Sequence, residues 1–152
     1  MIQRVQTIYL LTAFALCIVC LCTPIAHFMT SESLETVDMY NLWLVSEGQH
    51  LFYFCPVMMG ILVTTSAIVF MDIWLYRHRA LQMRVASLSM ILLVAWYVAY
   101  GAICYSLSSE LLASWRPNWT AALPAAALIL LYLAFRGIHK DEMLVHSLDR
   151  LR

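Results

Sequence analysis

The sequence has little charge. Only 12% of its 152 residues are Asp, Glu, Lys or Arg, whereas an ordinary soluble domain carries about 25%. Glycine and proline are also scarce, with four of each. Nine basic residues balance nine acidic ones, so the chain lacks the basic excess that binding to nucleic acid requires. This composition predicts a membrane protein without a nucleic-acid partner.

The common catalytic motifs are missing as well. The sequence contains no GxGxxG, Walker A, HExxH or GxSxG pattern, which are the signatures of dinucleotide enzymes, NTPases, zinc proteases and serine hydrolases. We therefore expect no catalytic residues, no cofactor, no metal and no small-molecule substrate. The protein is predicted not to be an enzyme.

Hydrophobic residues, in contrast, make up 63% of the chain. They form four segments close to the roughly 20 residues that a helix needs to cross a bilayer, at about residues 7–28, 51–76, 85–107 and 119–135. The pattern predicts an all-α integral membrane protein, with one domain of four transmembrane helices over residues 1–152. Residues 29–50 form the longest loop, which is apolar enough for a short strand pair or a segment lying at the membrane surface.

The distribution of charge predicts the orientation. With four spans, eight of the nine basic residues fall on one side of the membrane, and only Arg116 falls on the other. Basic residues favour the cytoplasmic side. We expect both termini in the cytoplasm and loop 29–50 outside, in a bacterial inner membrane, with the lipid bilayer as the immediate partner.

The last residues of the sequence, 137–152, predict an amphipathic helix. Wound as a helix, residues 137–152 bring their apolar side chains into one arc of roughly 140°, with Gly137 as a joint to the fourth span. The commoner interpretation is a helix that lies on the membrane surface; the alternative is docking to a partner. The predicted docking residues are Arg4, Arg77, Arg79, Arg84, Lys140, Asp141, Glu142, Leu144, Leu148, Asp149, Arg150 and Arg152.

Cysteine and histidine offer two weaker interpretations. Cys17 and Cys20 form a CxxC pattern, which is compatible with thiol–quinone exchange, although cysteine more often packs inside a span as a small apolar residue. His27 and His50 flank the outer loop, and one interpretation is that they form a metal site at its base. The commoner interpretation is that they are polar residues at the membrane surface.

Asp72 is the only formal charge inside a predicted span. Intramembrane carboxylates are candidates for function, but Arg77, Arg79 and Arg84 follow closely in the sequence. We expect Asp72 to form a structural ion pair, with a proton pathway as the less favoured alternative.

Small residues recur at helical spacing and predict where helices touch. These stripes are Gly60, Thr64 and Ala67; Ala95, Ala99 and Ala102; and Ala122 with Ala126. Close approach at small residues stabilises helix pairs in lipid. The stripes predict contacts either within the bundle or with a partner.

Three segments carry a resemblance to a known family: MIQRVQTIYLL, RHRALQMRV and IHKDEMLVHSLDRLR. With these the chain resembles, from end to end, the small inner-membrane proteins of Bacteroidota catalogued as domain of unknown function 4293. The resemblance implies four spans and no assigned activity.

The expected function follows from the clustered cytoplasmic charges. We expect a non-enzymatic accessory or scaffolding subunit that binds another inner-membrane protein or itself. A small transporter or lipid-binding protein is the alternative, for which Thr64, Thr65, Ser66, Ser87 and Ser89 would line a polar cavity. A thiol–quinone oxidoreductase is less favoured.

Overall fold

Four long helices dominate the fold. The computed structural model describes residues 2–30, 36–46, 49–51, 56–75, 78–110 and 113–149. The helices are α1 (Ile2–Cys22), α2 (Pro56–Trp74), α3 (Arg79–Glu110) and α4 (Leu123–Asp149). All four are long and apolar enough to cross a membrane. The expectation of four helices long and apolar enough to span a membrane is confirmed, which is the architecture of a multi-pass membrane protein.

The helices pack through interior stripes with alternating spacings of three and four residues. The stripes contain Gln6, Leu10, Ala13, Cys17 and Cys20 in α1; Met58, Leu62, Thr65, Val69 and Asp72 in α2; Gln82, Ala86, Ser89, Leu93, Trp96 and Tyr100 in α3; and Ala127, Leu131, Ala134 and Ile138 in α4. This spacing is typical of knobs-into-holes packing. The closest neighbours follow the cyclic order α1-α2-α3-α4, with α4 returning to α1.

A five-stranded antiparallel sheet covers one end of the bundle. The strands β1 (Ala26–Thr30), β2 (Thr36–Met39), β3 (Leu44–Ser46) and β4 (Gln49–Leu51) lie between α1 and α2, and β5 (Ala113–Pro117) lies between α3 and α4. Their order is β4-β3-β2-β1-β5. The expectation of an all-α fold was therefore wrong. The alternative of a strand pair within loop 29–50 underestimated the sheet, which has five strands.

The first predicted span was also too long at its end. Helix α1 ends at Cys22, and β1 starts at Ala26. Pro24, between them, has no backbone N–H to donate and disfavours helical geometry at the residue before it. From Ala26 to Met29 the burial alternates, with Ala26 and Phe28 buried, which is the two-residue period of a strand.

Buried polar contacts fasten the sheet to the bundle. Asn41, just after β2, donates from its side-chain amide to the backbone oxygen of Cys20 at 2.7 Å. Its side-chain oxygen accepts from the indole nitrogen of Trp96 at 3.1 Å. Asn41 is 1% exposed and Trp96 fully buried. One amide therefore joins the segment between β2 and β3 to both α1 and α3.

The segment between α3 and α4 is fastened in the same way. The Tyr100 ring stacks on Trp96 with a centroid distance of 5.4 Å, and its hydroxyl donates to the backbone oxygen of Ile25. Asn118 donates from its side chain to the backbone oxygen of Pro24 at 3.0 Å, as does the hydroxyl of Thr120. We call this end of the bundle the sheet end, and the opposite end, where α1 begins and α2 ends, the far end.

Helix α4 corrects the predicted joint at Gly137. The helix continues without a break from Leu123 to Asp149, so residues 137–149 do not form a separate helix. Its 27 residues span about 40 Å, more than the roughly 30 Å of hydrocarbon in a bilayer. The charged residues after Gly137 are thus carried on the same helix as the apolar ones.

The predicted small-residue stripes do not hold the bundle together. Gly60, Thr64 and Ala67 are all exposed on α2, and a Cβ atom at Gly60 would meet nothing within 4 Å. Ala122 and Ala126 are exposed too, and Ala95, Ala99 and Ala102 are not buried. Large and small interior residues, repeating every seven positions, make the helix contacts instead.

Candidate functional site

The far end of the bundle contains a polar layer formed by one residue from each helix: Gln6, Asp72, Gln82 and Asp141. Gln6, Asp72 and Gln82 are at most 6% exposed, and Asp141 is half-buried. From Cys22 back to Gln6, and from Pro56 to Asp72, the helices cover sixteen residues, or about 24 Å. Gln6 and Asp72 therefore lie at similar depth, and hydrogen bonds join Gln6 to Asp141 and Gln82 to Asp72.

One half of the polar layer joins α1 to α4. The Gln6 amide donates to a carboxylate oxygen of Asp141 at 2.9 Å. The Gln6 side chain also crosses Gly137 so closely that a Cβ atom there would lie 3.2 Å from the amide nitrogen. Gly137 is thus a point of close helix approach within the bundle.

The other half joins α2 to α3 and leaves one group unpartnered. The Gln82 amide lies 3.4 Å from the backbone oxygen of Asp72. Both carboxyl oxygens of Asp72 are buried and have no hydrogen-bond partner among the described residues. Arg84 is exposed, while Arg77 and the Arg79 side chain lie outside the described part. The predicted ion pair is not formed with Arg84.

The predicted docking residues fall into three groups. Arg84 and Lys140 are exposed at the far end, and Asp141 and Glu142 are half-buried there. The structure describes only the backbone, within helices, of Arg4, Arg79, Leu144, Leu148 and Asp149. Arg77, Arg150 and Arg152 lie outside the described residues. The far end therefore brings together Arg84, Lys140, Asp141 and Glu142, of which Asp141 is already held by Gln6.

Helix α4 presents an exposed surface directly beside the polar layer. Arg136, His139, Lys140 and Met143 are exposed, whereas Ile138 is 1% exposed. The helix therefore has a buried and an exposed side as far as Met143. The predicted two-faced character of the following residues falls on side chains outside the described part.

Three of the four described cysteines pack in the interior. Cys17 and Cys20 are fully buried on the α1 stripe, as is Cys104 on α3. Cys22 is exposed, and none of these four is in a disulfide; Cys55 lies outside the described residues. At Cys17 and Cys20 the small side chain serves helix packing.

His27 and His50 do not meet. Both lie in one row across the sheet, in which His27 opposes Asp38, Asp38 opposes Val45, and Val45 opposes His50. Three strand spacings separate the two histidines, or about 14 Å. His27 instead contacts Asp38, with 2.6 Å between the ring nitrogen Nδ1 and the carboxylate oxygen. Within the described residues, no three His, Cys, Asp or Glu side chains are grouped to hold a metal.

The five hydroxyl residues expected to line a cavity are not gathered. Thr65, Ser66 and Ser89 are buried, but Thr64 is exposed and Ser87 half-buried. Thr65, Ser66, Ser87 and Ser89 each donate to a carbonyl three or four residues earlier in their own helix. These four hydroxyls are thus engaged in hydrogen bonds with the backbone of their own helices.

A family model supplies the relationship of this chain to other proteins. The model described as domain of unknown function (DUF4293) matches residues 2–151. The chain belongs to this family. The match covers all four helices and the sheet of this DUF4293 protein, which confirms the resemblance in the sequence. No curated protein matches the chain.

Sequence reasoning missed Gln6, Asn41 and Gln82. Gln6 and Gln82 continue the interior stripes of their helices at spacings of four, so the heptad pattern contains the signal for both. Asn41 had no such signal, because its partners on α1 and α3 are 21 and 55 residues away in the sequence.

Proposed function

We propose that this protein is a non-enzymatic accessory or scaffolding subunit of an assembly in the bacterial inner membrane, and that it docks through the far end of its bundle. The observation that carries the proposal is the unbroken helix α4. The charged residues that follow Gly137 continue a helix held against α1 by Gln6 and Asp141. A rigid helix presents its side chains in fixed positions, which lowers the entropy cost of binding a partner.

The charge distribution supports a cytoplasmic position for the far end. Arg84, Arg136 and Lys140 are exposed there, whereas Arg116 lies on β5 at the sheet end. Basic residues concentrate on the cytoplasmic side of bacterial membrane proteins. On this proposal, the sheet lies outside and the far end faces cytoplasmic parts of the partner.

The exposed small residues of α2 support contact inside the membrane as well. Gly60, Thr64 and Ala67 share one helix face and are exposed. Small residues allow helix backbones to approach closely in lipid, where van der Waals contacts drive association. This stripe would let a transmembrane helix of the partner, or of a second copy, pack beside α2.

The proposal is tested by copurification from native membranes in mild detergent, with quantitative mass spectrometry. We expect a stoichiometric partner with the wild-type protein and loss of that partner with Arg84→Glu combined with Lys140→Glu. The matched control is Arg116→Glu, another charge reversal at an exposed position, which should retain the partner. If the wild-type protein purifies alone as a monomer, or if the double variant retains every partner, the proposal is wrong.

A further inference from the structure

Asp72 is buried in the polar layer, and its carboxyl group makes no hydrogen bond to the described residues. The residue is fully buried, and neither carboxyl oxygen has a hydrogen-bond partner in the part of the chain that the structure describes. It continues the interior stripe of α2 after Thr65 and Val69, so its side chain lies among the packed helices. Such a group in a native interior calls for an explanation.

Among the residues whose side chains the structure describes, none supplies a charge that pairs with the Asp72 carboxylate. Helices α1 and α3 pack against α2. At the far end their described titratable or basic side chains are Tyr9, which is half-buried, and Arg84, which is exposed, with the exposed His78 just before α3. None of the three is hydrogen-bonded to the Asp72 carboxyl. Burying an ionised carboxylate without a partner is so costly that the group takes up a proton instead.

The Gln82 amide favours a proton over a metal cation as the species bound by the Asp72 carboxyl group. Its nitrogen lies 3.4 Å from the backbone oxygen of Asp72, so Gln82 presents a donor, and not an oxygen ligand, to this residue. A metal cation such as Ca²⁺ or Mg²⁺ requires several oxygen ligands, and a donor at this position repels it. A neutral carboxylic acid carries its own proton and needs no such ligands.

We propose that Asp72 is a proton-binding site of the bundle, at which the carboxyl group holds a proton in the folded protein and exchanges it with water at the far end. Asp72 lies two residues before Trp74, the last residue of α2, so the path to water is short. Loss of the proton places a charge in the contact between α2 and α3. Protonation and helix packing are therefore coupled at this residue.

Labelling with dicyclohexylcarbodiimide, an apolar carbodiimide, tests the site in membranes. The acid proton passes to a carbodiimide nitrogen while the carboxyl oxygen bonds to the central carbon, and the adduct rearranges to a stable N-acylurea that keeps every atom of both reactants. We expect mass spectrometry to find the adduct on Asp72, with less of it at higher pH and no effect of added Na⁺. Asp72→Asn should abolish this labelling, and Asp38→Asn, a matched change on β2 at the sheet end, should leave it unchanged.

Three outcomes would overturn the proposal. One is no adduct on Asp72 at any pH while a water-soluble carbodiimide modifies Asp38, whose side chain is 38% exposed. Another is protection by Na⁺ at constant pH, which identifies a metal cation. The third is an unfolding temperature for Asp72→Asn that lies below the wild type at neutral and higher pH and approaches it only at low pH, as an ion pair requires. The proposal predicts equal unfolding temperatures at low pH, with the wild type falling below the variant as pH rises.

Discussion

At the scale of single residues, Asn41 connects the sheet to the bundle. Its amide is nearly fully buried, and it contacts α1 through the Cys20 carbonyl and α3 through the Trp96 indole. In a low-dielectric interior such hydrogen bonds are strong, and an unpaired group is correspondingly costly. The position of the sheet therefore depends on a polar residue in an otherwise apolar stretch.

Asn41→Ala is expected to destabilise the protein by about 2–4 kcal/mol, because two buried groups lose their hydrogen-bond partner. The measurement is the free energy of unfolding in detergent. Thr12→Ala is the matched control on α1: the Thr12 hydroxyl is exposed and bonds only to the Ile8 carbonyl, so we expect a change within about 0.5 kcal/mol. Equal losses for the two variants would contradict the bridging role of Asn41.

The sequence made some of these residues predictable and others not. Asp72 was recognisable as a special position because it is the only charge in an apolar segment, and the heptad register places it inside. The state of its carboxyl group was not predictable, because that depends on which side chains of α1 and α3 surround it. Asn41 resembles any loop asparagine until the chain has folded.

At the scale of elements, the close pairing of α1 and α4 depends on a glycine. Gly137 allows the Gln6 side chain to lie across α4 and reach Asp141. The glycine suggested a joint in the sequence, since glycine lowers helix stability. Tertiary packing overrides this propensity, and the helix continues.

Gly137→Leu is expected to lower stability by about 1–3 kcal/mol, because the larger side chain forces Gln6 and α1 away from α4. Unfolding in detergent measures the loss. Gly101→Leu is the matched control, since a Cβ atom at Gly101 meets nothing within 4 Å, and it should be neutral or stabilising by up to about 1 kcal/mol. If both variants behave alike, the close approach at Gly137 has no energetic importance.

The elements also show why hydropathy predicts helices better than strands. A transmembrane helix needs about 20 apolar residues and is visible in one segment of sequence. The sheet has strands of three to five residues, and β5 joins β1 from more than 80 residues away. Its register depends on pairing between two loops, which no local pattern contains.

At the scale of the whole molecule, the bundle separates two unlike surfaces. A sheet fastened by Asn41, Tyr100 and Asn118 covers one end, and the polar layer with its exposed Arg84 and Lys140 occupies the other. The helices between them are apolar enough to cross a membrane. We propose that the far end faces the cytoplasm and binds the partner there.

Cysteine labelling tests this claim most directly. Ser114→Cys on β5 and Lys140→Cys on α4, both at exposed positions, are made with the five native cysteines replaced by alanine. A membrane-impermeant maleimide is then added to intact spheroplasts. We predict that Ser114→Cys is labelled at once and Lys140→Cys only after the membrane is permeabilised. Labelling of Lys140→Cys in intact spheroplasts, with Ser114→Cys protected, would contradict the account.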